Sequence, residues 1–367
     1  MVMRQSLRLG SISGIPVGIN WGLLLIAGFY IFNLAAGIFP AAVPNGSQLV
    51  YWTVAAATVV VFFGSVLAHE LGHAIVAQRN GINVKAITLW LLGGVAELEK
   101  EADDPGVEFR IAIAGPAVSV ALAVGFGALW FALSPFISGG LLSFSLGYLA
   151  LVNGGLAIFN LIPAAPLDGG RVLSSFLWWR SNNRHTARAT SAGVGQAFGT
   201  AMMIVGVLGI FFGAGTFILA ILGFFLRTAA GAERFRAQSL GKLDSADVAT
   251  LMSPIVTPIT AGITVSGLES LSAGDNKVAF PLWREHSIVG LIPSSAVESI
   301  PPAQRPFVDA EALLVSWDQF VSATDEESMT TIADRARADE KSHVLVYDSL
   351  GRQVGYINLE RPLMPMG

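Results

Sequence analysis

The chain contains no cysteine, and few of its 367 residues are charged. The absence of cysteine excludes disulfides and limits any zinc site to nitrogen and oxygen ligands. Charged residues make up only 13% of the chain, against 53% hydrophobic residues and a mean hydropathy of +0.61. Soluble domains are about one quarter charged. The composition therefore indicates a membrane protein, and no basic patch points to nucleic acid as a partner.

Charge divides the chain into two parts. Residues 1–230 carry 11 Lys/Arg and 8 Asp/Glu, which leaves 11 Lys/Arg and 18 Asp/Glu for residues 231–367. We therefore predict a transmembrane domain at 1–230, a linker at 231–245 and an acidic soluble region after the linker.

The first part contains six apolar segments of about 20 residues, the length that crosses a bilayer. A basic N-terminus before an apolar run also fits a signal peptide, but the run from Val17 to Phe39 is longer than such a peptide needs, which favours an uncleaved span. The last two segments form either a tight hairpin or one long bent helix. The predicted segments are 17–38, 51–78, 110–133, 141–163, 191–212 and 214–228.

Basic residues predict the orientation of these segments, because Lys and Arg are enriched in cytoplasmic loops. The connections 39–50 and 134–140 contain no charged residue, whereas 79–109 and 164–190 each contain several Lys or Arg. We therefore predict an α-helical multi-pass protein of the inner (plasma) membrane with both termini in the cytoplasm.

The segment 83–99 is β-prone and is interrupted by Gly93 and Gly94. It is too short to span, and its alternation predicts a strand pair buried in protein at the membrane surface. An open strand edge can bind an extended peptide. Gly93, Gly94 and Val95 are therefore candidate substrate-binding residues. The alternative is an interfacial hairpin without a substrate role.

Two of the five histidines, His69 and His73, lie in the second apolar segment beside Glu70. Ionisable side chains are costly in hydrocarbon, so they mark a functional-site hypothesis. Residues four apart share one face of a helix, so both imidazoles can reach one ion. H-E-x-x-H on a helix is typical of zinc metalloproteases. The alternative is a pair of packed core histidines.

A catalytic zinc ion needs three protein ligands, so one must come from elsewhere in the chain. Asp168 is the only other acidic residue in the six segments and the junction after the fourth segment. Prolines and glycines around it predict a broken helix that turns the carboxylate back toward the histidines. The alternative is that Asp168 only caps a helix.

The sequences HELGH at 69–73 and NLIPAAPLDGG at 160–170 together resemble the site-2 protease family of intramembrane zinc metalloproteases. The motif GGVA at 93–96 and AGP at 114–116 add to this resemblance, which covers about residues 5–230.

The resemblance implies a role for each candidate residue. His69, His73 and Asp168 ligate one zinc ion per chain, and Glu70 acts as general base and then as general acid. Asn160 donates a hydrogen bond to the developing oxyanion. The resemblance also implies the substrates, which are transmembrane segments of single-span regulatory proteins, such as anti-sigma factors.

The soluble region contains a weak internal repeat, because 278–292 resembles 343–357. The pattern resembles a tandem pair of α/β CBS modules, at 246–306 and 307–367, which one subgroup of the family carries. Such modules often bind adenosine nucleotides through an Asp after the second strand, and neither repeat has that Asp. This argues against nucleotide binding and favours homodimerisation or a gating contact.

Two other functions compete with the protease. A CBS-bearing transporter or channel would use the intramembrane ionisable residues as an ion path, but the two halves of the chain do not match as transporter repeats do. A catalytically inactive scaffold is the second alternative, and the intact Glu70 argues against it.

Overall fold

The computed structural model divides by its internal contacts into two compact units, Met1–Gln238 and Ser239–Gly367. It describes residues 6–91, 93–137, 139–212, 216–244, 248–272, 278–284 and 287–359.

Long apolar helices build the first unit. Large apolar side chains such as Phe131, Phe136 and Leu151 are exposed on them, as lipid-facing side chains are. The helices are α1 (Trp21–Phe32), continued by a π-helical turn (Asn33–Ile38) into α2 (Phe39–Ala42), then α3 (Gln48–Arg79), α4 (Pro105–Ile137), α5 (Leu141–Asn160), α6 (Asp168–Ser181), α7 (Arg184–Phe211) and α8 (Phe217–Asp244).

Within the described residues, five helical stretches are long and apolar enough to cross a membrane, rather than the six predicted. They are Trp21–Ala42 and the helices α3, α4, α5 and α7. Residues 217–228 of the sixth predicted segment lie in α8, whose apolar part ends at Leu226 before Arg227, and residues 214 and 215 lie outside the described residues.

Helices α7 and α8 are separate, which favours the hairpin over one bent helix. The hydroxyl of Thr216 donates a hydrogen bond to the carbonyl of Gly206 at 2.8 Å. A Cβ atom on Gly206 would lie 2.7 Å from the Cα of Ala220, so only glycine allows this close approach.

A four-stranded sheet accompanies the helices. Its strands lie in the order β1 (Leu7–Ile12), β2 (Ile15–Ile19), β3 (Val84–Trp90) and β4 (Gly93–Leu98). The antiparallel pair β3–β4 confirms the predicted strand pair. The predicted start of the first span at residue 17 is wrong, because Ile15–Ile19 is a strand that pairs in parallel with β3 and the helix begins at Trp21.

The sheet packs against α3, the helix that contains His69, Glu70 and His73, through buried apolar residues. Ile15 of β2 and Ile87 of β3 share a core cluster with Ala74 and Ala77 of α3. Strand β4 is at one edge of the sheet, so one side of its backbone has no strand partner among the described residues.

Short strands and helices build the second unit. Its described elements are α9 (Val248–Leu251), β5 (Ser253–Pro254), β6 (Ile259–Thr260), α10 (Val265–Leu271), β7 (Ala279–Arg284), β8 (Ser287–Pro293), β9 (Val315–Ser316), β10 (Phe320–Thr324), α11 (Met329–Ala338), β11 (His343–Tyr347) and β12 (Gln353–Asn358). Within the described residues the strands form two four-stranded sheets, in the orders β10-β11-β12-β5 and β6-β7-β8-β9. The repeated sequences form the hairpins β7–β8 and β11–β12.

The two halves of this unit exchange short strands. Strand β5 belongs to the first half of the second unit but pairs with β12 of the second half. Strand β9 belongs to the second half but pairs with β8 of the first half. Each half therefore completes the sheet of the other, and the predicted modules at 246–306 and 307–367 are interlocked rather than merely adjacent.

Candidate metal centre

Three side chains that could bind a metal ion meet at one point of the first unit. His69 and His73 lie one turn apart on α3, and Asp168 is the first residue of α6. Oδ2 of Asp168 lies 3.1 Å from Nε2 of His69 and 3.2 Å from Nε2 of His73. The two Nε2 atoms lie 3.2 Å apart. The fold therefore brings together residues 99 positions apart in the sequence.

These distances suit a tetrahedral ion. Zinc bonds to nitrogen and oxygen of about 2.0–2.1 Å place two ligand atoms roughly 3.3 Å apart. The three side chains occupy one triangular face of such a tetrahedron, which leaves a fourth position open, as a catalytic site needs.

The histidine tautomers also suit a metal ion. Nδ1 of His73 lies 2.6 Å from the carbonyl oxygen of Ile111. Because a carbonyl only accepts, Nδ1 carries the proton and Nε2 presents its lone pair. Nδ1 of His69 has a similar outer partner in the hydroxyl of Ser119 at 2.9 Å. Two nitrogen lone pairs and a carboxylate oxygen this close repel one another unless a cation lies between them.

Gly115 of α4 has no side chain, and the imidazoles of His69 and His73 occupy the space that a side chain would fill. A Cβ atom at this position would lie 2.6 Å from Nε2 of His69 and closer still to Nε2 of His73. On the opposite helix, a Cβ atom on Gly72 would meet the carbonyl oxygen of Ala114 at 3.0 Å. The two glycines therefore let α3 and α4 approach at the level of the site.

Glu70 faces the sheet edge. A Cβ atom on Gly94 would lie 2.8 Å from Cδ and 3.0 Å from Oε1 of Glu70, so β4 passes directly against this carboxyl group. Gly93 has a φ of +134°, a backbone conformation that favours glycine. Val95, which follows Gly94 in the strand, is 40% exposed.

A break between α5 and α6 aims Asp168. Helix α5 ends at Asn160 and α6 begins at Asp168, so the carboxylate lies at a helix N-terminus, which favours negative charge. A Cβ atom on Gly170 would lie 2.5 Å from the Cα of Ala165, so the turn folds tightly onto α6. Asn160 is partly buried at the end of α5, and its role stays a prediction.

Sequence reasoning missed three parts of this centre: Gly115 as the source of room, Ser119, and the Ile111 carbonyl. Ser119 follows Gly115 by four residues and so lies on the same helix face. A polar residue one turn after a glycine in an apolar helix was the available signal.

The chain is similar to several known proteins. Residues 57–206 match Peptidase family M50. A Synechocystis protein named "Putative zinc metalloprotease sll0528" is 32% identical over 364 residues, which is 97% of this chain and 94% of the relative. The solved structure of the site-2 protease from Methanocaldococcus jannaschii is 31% identical, with a TM-score of 0.45, and covers 62% of this chain and 94% of that chain. The CBS domain of a bacterial CNNM/CorC family Mg2+ transporter covers 36% of this chain and 86% of that chain, at 20% identity and a TM-score of 0.24.

Proposed function

Since the chain belongs to peptidase family M50, the site-2 protease family of zinc metalloproteases, we propose that it cleaves peptide bonds inside the transmembrane segments of single-span proteins. The observation that carries the proposal is the triangle of His69, His73 and Asp168 with sides of 3.1–3.2 Å beside Glu70.

His69, His73 and Asp168 hold one zinc ion per chain. The outer partners of the imidazoles, Ser119 and the Ile111 carbonyl, fix the ring orientations, and the carbonyl also keeps Nε2 of His73 free to ligate. When bound, zinc supplies a Lewis acid that polarises a carbonyl group and acidifies water.

Glu70 moves the proton. It takes a proton from the attacking water and returns it to the leaving amide nitrogen. The position of Glu70, next to the first ligand in sequence and against Gly94 in space, supports this role because the substrate backbone must come to the same place. Asn160 donates a hydrogen bond to the developing oxyanion.

The edge of β4 binds the substrate in an extended form. Peptide bonds inside a helix are already hydrogen-bonded, so the substrate unwinds locally before cleavage, and a strand edge offers its backbone new partners. Gly93, Gly94 and Val95 form the part of the edge beside the base, and the missing side chains of the two glycines let a peptide approach.

The proposed substrates are single-span regulators such as anti-sigma factors, and cleavage belongs to regulated proteolysis. The enzyme lies in the inner membrane with both termini in the cytoplasm. The C-terminal unit serves a homodimer or a gating contact rather than adenosine nucleotide binding.

Metal analysis of the purified full chain, combined with cleavage of a co-expressed single-span substrate, tests the proposal. We expect one zinc ion per chain and cleavage in the wild type. Glu70→Gln keeps the zinc and loses cleavage, whereas His73→Ala loses both. His185→Ala, outside the site, behaves as wild type. A zinc-free wild type, or cleavage by Glu70→Gln, contradicts the proposal, and ion flux in liposomes without proteolysis favours the transporter.

A further inference from the structure

One face of α7 contacts the chain just after Asp168. The hydroxyl of Ser191 donates a hydrogen bond to the carbonyl oxygen of Gly170 at 2.6 Å. Ser191 is 1% exposed, so water does not compete for this bond. Gly170 lies in the first turn of α6, two residues after Asp168. Ser191 therefore fixes the helical turn that begins with the aspartate.

The next turn of α7 contacts the chain just before Asp168. A Cβ atom on Gly195 would lie 2.9 Å from the carbonyl carbon of Ala165 and 3.1 Å from its nitrogen, and closer still to its oxygen. Ala165 lies three residues before Asp168, in the turn between α5 and α6. Two successive turns of α7 thus hold the backbone on both sides of the aspartate.

The same end of α7 is joined to α4, the helix that orients the histidines. Nη2 of Arg188 lies 3.3 Å from Oε1 of Glu108, and Glu108 is only 7% exposed. Glu108 precedes Ile111 by three residues, and the Ile111 carbonyl accepts the hydrogen bond from Nδ1 of His73. A buried charge that loses its partner is strongly unfavourable, so this ion pair keeps α7 in register with α4.

We infer that α7 positions the aspartate ligand, with Ser191 and Gly195 as the positioning residues and Arg188 as the link to α4. This inference rests on the proposed zinc site and extends it to side chains that touch neither metal nor substrate. The aspartate follows an irregular turn, whereas both histidines lie inside a long regular helix. Of the three ligands, Asp168 therefore depends most on support from outside its own element, and a site must be held within about 0.5 Å to work.

Metal binding by the purified full chain tests this role apart from activity. Zinc affinity is measured by competition with a chromophoric chelator, and the geometry by the visible absorption of the Co2+-substituted protein. For Ser191→Ala we expect zinc affinity about tenfold lower, the low end of the effect of removing an outer-shell partner. We also expect a weaker Co2+ absorption, because the ligand set departs from a tetrahedron. Gly195→Ala shifts both measurements further in the same direction.

Two control variants separate positioning from general stability. Thr190→Val removes the neighbouring hydroxyl, which is exposed and donates a hydrogen bond to the Thr186 carbonyl of its own helix. Gly199→Ala strains the packing of α7 on α8, because its Cβ atom would lie 2.6 Å from the nitrogen of Arg227. Both controls keep the zinc affinity and Co2+ absorption of the wild type, although Gly199→Ala lowers the melting temperature.

The outcomes separate the positioning role of α7 from the zinc site itself. The inference is supported if Ser191→Ala and Gly195→Ala lose zinc affinity while the two control variants keep it. Wild-type affinity and absorption in Ser191→Ala overturn it, as does an equal loss in Gly199→Ala, and either result leaves the proposed zinc site intact. A wild type that binds neither zinc nor Co2+ overturns the proposed function itself.

Discussion

Gly115 and His73 lie on different helices, yet the space between them is too small for a methyl group. The glycine thus controls whether the two imidazoles can converge on one point. Its neighbour Pro116 also lies within α4, at the level of the candidate metal centre.

Gly115→Ala is expected to lower zinc affinity by about 100-fold, because the added methyl group displaces the imidazoles. Chelator competition on the purified protein measures the change. Gly125→Ala is the matched control, since it lies on the same helix and a Cβ atom there meets nothing within 4 Å. Wild-type affinity in Gly115→Ala would show that the imidazoles do not need this space.

Gly94→Ala is expected to lower the rate of substrate cleavage by about 100-fold while zinc content stays unchanged. The added Cβ atom would push the Glu70 carboxyl group aside, and a displacement of about 1 Å in a catalytic group costs that much. Cleavage of a co-expressed substrate and metal analysis together measure this. Gly64→Ala on α3, where a Cβ atom meets nothing within 4 Å, serves as the control. A normal rate in Gly94→Ala would separate Glu70 from the sheet edge.

Local periodicity explains why part of the site is readable from sequence. The spacing of His69 and His73 determines that they share a helix face, whatever the rest of the chain does. Asp168 could be predicted as a ligand because prolines and glycines mark the break before α6. Both features are local in the sequence, so they can be recognised without knowing how the helices pack.

The parts that escaped prediction depend on contacts between distant segments. Ser119 lies 50 residues from its hydrogen-bond partner His69, and no local sequence pattern predicts that contact. Part of strand β2 was predicted to belong to the first span, because its apolar residues lie close in sequence to the apolar helix that begins at Trp21. The exchanged strands β5 and β9 contain two residues each, too few to show any alternation.

Ser119→Ala is expected to weaken zinc binding by about 10- to 100-fold, because His69 loses the outer partner that fixes the orientation of its ring. The Co2+ absorption should weaken in parallel. Ser134→Ala is the matched control, because that hydroxyl is on the same helix, exposed, and bonded to the Phe131 carbonyl of its own turn. Equal affinities in the two variants would contradict the orienting role.

Glu101 lies between Arg184 and Arg188, with N–O distances of 2.7 and 2.5 Å, and its pairing predicts a pH-dependent stability. Burial raises the pKa of Glu101, but the two guanidinium groups outweigh burial and lower the pKa below its ordinary value. A carboxyl group with a lowered pKa in the folded state stabilises the fold fully above its unfolded pKa of about 4.3. That stabilisation is lost as the pH falls from there through the lower folded pKa.

Glu101→Gln should therefore melt below the wild type at pH 7, and the two melting temperatures should converge as the pH falls below about 4. Because Glu101 is 42% exposed, solvent screening limits the difference to about 1 kcal/mol, or roughly 2–4 °C. Glu99→Gln, whose carboxylate accepts a hydrogen bond from Asn83 instead, should show no such gap. Acid also releases zinc, but it does so in all three proteins, so the comparison between them isolates the arginine pairing. A gap that persists unchanged in acid would mean that Glu101 stabilises the fold by some means other than its charge.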